Sequence, residues 1–119
     1  REIPGATVPV LQVASVRRAM PLAAAVLHQY PSRRLHLVGV TGTNGKTTTT
    51  YLVEAIARAA GRSTGVIGTI GSRINHQALE GDRTTPEGPD LQALFARMAA
   101  VTDPPDMTVA MEVSSHALD

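Results

Sequence analysis

Leu35 to Thr50 reads LHLVGVTGTNGKTTTT. An apolar run (Leu35, Leu37, Val38, Val40) enters a glycine-punctuated turn, after which Lys46 and four threonines open an apolar pattern at helical spacing. The succession is strand, phosphate-binding loop, helix. Gly42 and Gly45 can take backbone angles closed to other residues, and the N–H donors of a helix start favour an anion. The cradle formed by Gly42, Thr43, Asn44, Gly45, Lys46, Thr47 and Thr48 is expected to take ATP, with Lys46 on the β- and γ-phosphates and the Thr47 hydroxyl as a hard ligand for Mg²⁺. The strict pattern G-x-x-x-x-G-K-[ST] requires glycine at position 40, where this chain has valine, with Gly39 one place early. The loop is therefore a shortened variant. An ordinary glycine turn beside a lysine is the competing reading, and the strand-to-helix context weighs against it.

Downstream, helical spacing continues to about Ala60, with Leu52, Val53, Ile56 and Ala60 expected inward, Gly61 as the stop, and Arg58 and Arg62 suiting the helix dipole. Ser63 to Ile70 (STGVIGTI) reads as a second buried strand, completing a β-α-β unit. Gly71 to Arg83 is polar and reads as a loop or hairpin. From Pro89 or Asp90 a helix is predicted to turn Leu91, Leu94, Phe95, Met98 and Val101 inward, until Asp103-Pro104-Pro105 breaks it. Met107 to Val113 (MTVAMEV) is a third strand. Upstream, Val8 to Val13 (VPVLQV) reads as a short strand without a partner. Ser15 is a candidate N-cap for a helix toward Tyr30, with Val16, Ala19, Ala23, Val26, Leu27 and Tyr30 on one face and a kink or late start at Pro21. Strands alternating with helices predict an α/β fold, a P-loop-type parallel sheet flanked by helices, with ligands at the carboxyl ends of the strands.

The totals set bounds. At 119 residues there is room for one modest domain or a piece of a larger one, and 43% hydrophobic with 18% charged residues is ordinary for a globular protein. A formal net charge of +1 supplies no general attraction to nucleic acid or an anionic membrane. No cysteine is present, no apolar stretch is long enough to span a bilayer, and the N-terminus lacks the order of a signal peptide, so a cytoplasmic location is expected. Lys46 is the only lysine.

Three clusters fall on the same edge of the predicted sheet: the loop, Thr84-Thr85, and Glu112 to His116. A carboxylate between Met111 and Val113 in an apolar strand is costly to bury unless paired or metal-bound, so Glu112 is a candidate magnesium ligand, against a strand-end glutamate facing water. Ser114 and Ser115 offer hydroxyls, or merely a turn. Thr84-Thr85 reads equally as hydroxyl donors to an anionic or peptide substrate and as a turn before Pro86. A lone histidine after a strand is more often structural than a ligand, which applies to His116; His28, His36 and His76 have no partner at metal-ligand spacing.

VGVTGTNGKTTTT, GVIGTIG, TTPEGPDLQALF and MEVSSHAL, in that order, closely resemble the Mur ligases of bacterial peptidoglycan synthesis, and within them the branch that adds the third residue to UDP-N-acetylmuramoyl-dipeptide. The resemblance covers nearly the whole chain. It implies an ATP-dependent amide ligase working through an acyl phosphate, with UDP-N-acetylmuramoyl-L-Ala-D-Glu and an amino acid (diaminopimelate or lysine) as partners. Carried over by position, it puts Lys46 and Glu112 in the catalytic apparatus, Thr47 and Glu112 on Mg²⁺, and Thr84, Thr85 and Ser114 on the muramoyl-peptide. It also implies that residues 1–15 are the tail of a uridine-binding domain and residues 16–119 the N-terminal half of the central ATP-binding domain. The family's carbamylated lysine has no counterpart here, since Lys46 is committed to phosphate. The implied protein is therefore a fragment, completed by the missing remainder of its own chain and inactive alone. A nucleotide-binding module without catalysis and a folylpolyglutamate-synthase-like ligase are the alternatives, the second disfavoured by MEVSSHAL and TTPE.

Overall fold

A computed structural model describes residues 4–5, 7–80 and 86–114. The 3.6-residue and two-residue periodicities resolve into helices α1 (Val16–Leu27), α2 (Lys46–Ala59) and α3 (Gly88–Ala99), and strands β1 (Leu35–Val40), β2 (Ser63–Gly68), β3 (Gly71–Ile74), β4 (Gln77–Ala78) and β5 (Met107–Glu112). A single 3-10 turn, Pro31–Arg34, leads into β1. The strand order is β1-β5-β2-β3-β4. β5 runs parallel to both β1 and β2 and lies between them, while β3 and β4 add an antiparallel extension. The sheet is thus mixed, with the parallel part where the loop sequence required it.

Register sets the two faces. Leu35 pairs with Met107 and Gly65 with Val109. Residues of this set, with Ile67, pack against Leu94, Phe95, Met98 and Ala99 of α3 to form the core. Met98 lies across Gly65, where an added Cβ would meet its Cε at 3.0 Å. The alternate residues of β5, Thr108, Ala110 and Glu112, share the opposite face, which α2 covers. Glu112 is carried to α2 by this alternation.

The segment read as a strand at Val8 to Val13 is not one. Its residues are not in strand conformation, and Val8 and Leu11 are 69% and 86% exposed. In α1, Ser15 does cap, accepting from the Arg18 N–H at 3.4 Å, but the helix continues through Pro21. Its buried face is centred on Ala25, with Pro21 and Ala24 partly covered, while Val16, Val26 and Leu27 are exposed. The reason is local: α1 packs on α3, and the Pro21 ring lies so close to Gly88 that a Cβ there would be 2.3 Å from Pro21 Cγ.

Helix α2 also turns a different face inward. Thr50, Glu54 and Ala57 are buried, whereas Leu52 and Ile56 are exposed, because polar side chains with partners occupy the sheet side. Its end is as expected: Gly61 is left-handed (φ 78°), Gly61 N–H donates to the Arg58 carbonyl and Arg62 N–H to Ala57. Arg58 and Arg62 bond side chains rather than the helix end: Arg58 meets His76 Nε2 at 2.7 Å, and Arg62 meets Asp106 at 2.8 Å. β2 stops at Gly68, two residues short of the predicted Ile70. The following polar stretch is a hairpin whose two-residue turn, Asn75-His76, has both φ angles positive. Asn75 Oδ1 accepts from the Thr64 N–H at 2.9 Å, fastening that turn to the start of β2. Val101 lies beyond α3 and is half-exposed, and β5 ends at Glu112. No helix among the described residues is long and apolar enough to cross a membrane.

Candidate nucleotide and metal site

β1 and β5 end side by side. Val40 pairs with Glu112, and the Val113 N–H donates to the Val40 carbonyl at 2.8 Å, so the loop leaving β1 and the carboxylate ending β5 emerge together. Gly42 (φ 132°) and Gly45 (φ 78°) turn the loop. A Cβ at either would meet nothing within 4 Å, so conformation rather than space demands glycine. Gly45 is also the N-cap of α2 and supplies no side-chain cap, leaving first-turn N–H donors available to an anion.

Lys46 Nζ donates to the Gly42 carbonyl at 2.7 Å, folding the ammonium back across the loop. Thr47 Oγ1 donates to Glu112 Oε1 at 2.8 Å. Thr50, fully buried one turn on, donates to the Thr47 carbonyl at 2.8 Å and steadies that turn. Residues 43–48, with Thr69 and Glu112, line a cavity of about 300 Å³. A second cavity of about 280 Å³ shares Lys46, Thr69 and Glu112, adds Ser114, and is walled by Ile67, Leu91 and Met111. The polar cavity suits a polyphosphate. The apolar one adjoins it at the two residues with charged side chains.

Thr47 and Glu112 bring two hard oxygens within 2.8 Å of each other. Adjacent ligands of an octahedral Mg²⁺ with bonds of roughly 2.0–2.1 Å stand about 2.9 Å apart, so the spacing of this donor pair fits magnesium. Among the described residues no group of three or more His, Asp or Glu side chains is placed to hold a metal.

Of the residues singled out from sequence, Thr43 to Thr48 and Glu112 line one cavity, while Lys46, Glu112 and Ser114 meet at the second. Thr84, Thr85, Ser115 and His116 lie outside the described residues. Sequence reasoning missed Gly68 and Thr69. Thr69 Oγ1 stands 3.5 Å from Glu112 Oε2, and Gly68 lies directly under that carboxylate. Extending β2 to Ile70 had placed Thr69 inside a strand; its position two residues before Gly71 was the available signal for a strand end.

Residues 40–119 match the Mur ligase middle domain. The UDP-N-acetylmuramoyl-L-alanyl-D-glutamate--2,6-diaminopimelate ligase of Geobacillus thermodenitrificans is 50% identical over 111 residues, covering 93% of this chain and 22% of that protein. The protein of the same name from Corynebacterium glutamicum is 49% identical over 114 residues, covering 96% of this chain and 22% of its own length. A solved structure of a ligase with that name superimposes with a TM-score of 0.67 at 26% identity, covering 84% of this chain and 20% of the other. The chain spans about a fifth of the length of these relatives.

Proposed function

Because the chain belongs to the Mur ligase family, as part of its middle domain, we propose that it is the ATP-binding portion of an ATP-dependent ligase adding diaminopimelate to UDP-N-acetylmuramoyl-L-Ala-D-Glu. Support for that amino acid is the name shared by relatives 49% and 50% identical to this chain. The observation that carries the site is the 2.8 Å bond from Thr47 to Glu112, joining the loop to the end of β5. Residues 16–119 belong to the ATP-binding domain in this reading, supported by the packing of α1 on α3. Residues 1–15 belong to the domain before it, supported by the exposed and unpaired run from Val8 to Leu11.

In the reaction, the substrate carboxylate attacks the γ-phosphorus, ADP leaves, and the amine of diaminopimelate then displaces phosphate from the acyl phosphate. The residues of this chain bind and align the triphosphate. Lys46 exchanges its bond to the Gly42 carbonyl for the β- and γ-phosphates, and the open N–H groups of α2 take phosphate oxygens. Thr47 and Glu112 would hold Mg²⁺, which when bound would neutralise charge on the transferring group. Ser114, which lines the apolar cavity, holds the muramoyl-peptide in this reading, and Thr84 and Thr85 are assigned to the same substrate. As the only lysine is Lys46, any carbamylated lysine comes from elsewhere in the longer protein, and this segment alone binds nucleotide without completing ligation.

The test uses the full-length protein with ATP, Mg²⁺, the nucleotide-linked dipeptide and either diaminopimelate or lysine, read by product mass and phosphate release. Product with diaminopimelate is expected. Lys46→Ala should lower phosphate release by about 100-fold or more. Undiminished release in that variant, or addition of lysine instead, would overturn the corresponding part of the reading.

A further inference from the structure

A glutamate side chain has three rotatable bonds, and an unrestrained one would sweep its carboxylate through the site. Two neighbours at the end of β2 oppose this for Glu112. A Cβ at Gly68 would stand 2.6 Å from Glu112 Oε1 and 3.2 Å from its carboxyl carbon. The carboxylate therefore lies against bare backbone, in the space a side chain would fill. Gly68, unlike Gly42 and Gly45, has no positive φ, so the demand for glycine there is spatial. One residue on, Thr69 Oγ1 stands 3.5 Å from Oε2, while Thr47 holds Oε1 from α2. Hydroxyls from two elements thus engage different oxygens, which restrains the plane of the carboxylate as well as its position. With Glu112 only 9% exposed, water is a poor substitute for either.

We propose that Gly68 and Thr69 are positioning residues that seat the Glu112 carboxylate toward the divalent cation and thereby set cation affinity. The proposal rests on the reading of Glu112 as a cation ligand. Both act through Glu112. Gly68 leaves room for the carboxylate, and Thr69 fixes the oxygen that Thr47 does not.

The test is Mn²⁺ titration of the full-length protein by electron paramagnetic resonance, with a non-hydrolysable ATP analogue present, beside calorimetric binding of the analogue without metal. Thr69→Val and Gly68→Ala should weaken Mn²⁺ binding by about 10-fold or more and metal-free analogue binding by less than about twofold, with Thr69→Ser near the parent. Thr69 is exposed, so its valine variant decides the matter if Gly68→Ala does not fold. Mn²⁺ affinity unchanged in Thr69→Val but reduced in Glu112→Gln would overturn the seat and leave the role of Glu112 intact. Affinity unchanged in Glu112→Gln would overturn that role and the seat together. Equal loss of metal-free analogue binding in Thr69→Val would reveal general damage to the site and also overturn the proposal.

Discussion

Glu54 is the carboxylate that the sequence hides best. It lies two turns past the phosphate loop in α2, is 3% exposed, and forms an ion pair with Arg73 of β3. Arg73 also stacks on Tyr51, with Cζ 4.1 Å from the ring centroid. His76 completes the cluster: Arg58 can only donate, so His76 Nε2 accepts, and the ring proton sits on Nδ1, 3.5 Å from Glu54 Oε1. Removing one partner of a buried pair leaves the other uncompensated, typically at about 3–5 kcal/mol. Arg73 retains some solvent, so Glu54→Ala should destabilise the chain by about 2–3 kcal/mol in urea unfolding, and Glu54→Gln by less. A loss below about 0.5 kcal/mol, the usual range of a surface change, would show that the pair does not hold the hairpin to the helix. By contrast, Lys46 and Glu112 stand out as candidates in the sequence because the signal is local: a glycine loop before a helix, and an acid inside an apolar strand.

At the scale of elements, the helices and the three parallel strands were readable and the facing of the helices was not. α2 was predicted within one residue of its end, yet its apolar stripe points outward: Thr50, bonded to the Thr47 carbonyl of its own helix, and Glu54, paired with Arg73, take the buried side, and Ile56 is left 70% exposed. α1 and α3 show how one atom decides such contacts. With the Gly88 Cβ position 2.3 Å from Pro21 Cγ, these helices approach only because position 88 carries no side chain. Gly88→Ala should therefore push α1 off α3 and cost about 1–3 kcal/mol, seen as a lowered Tm. An unchanged Tm would mean that the contact opens without loss. Pro21, read as a helix interruption, instead forms that contact, a role no local rule assigns to it.

For the whole molecule, strand order is what matters. β5, last in the chain, sits between β1 and β2 and so puts Glu112 beside the loop. Among the described residues the same order leaves β1 at the sheet edge, with Leu37 40% and Val38 37% exposed. An unpaired apolar edge is a template for further strand pairing. The isolated 119-residue chain should accordingly self-associate at roughly 100 μM in light scattering, and Val38→Lys should reduce it. A strictly monomeric parent chain would show that the edge is protected.

The sequence by itself determined the glycine loop between β1 and α2, the three helices, the three parallel strands and the family, since each depends on short-range chemistry: glycines that permit a tight turn, hydroxyls and a lysine at fixed spacing, and apolar periodicity. Only the tertiary structure decided which helix faces are buried, that Val8 to Val13 is not a strand, and that Gly68 and Thr69 lie beneath Glu112. Those outcomes depend on which strand lies beside which. The partner that covers a face or receives a carboxylate is tens of residues away in the chain, and periodicity within one segment carries no record of it.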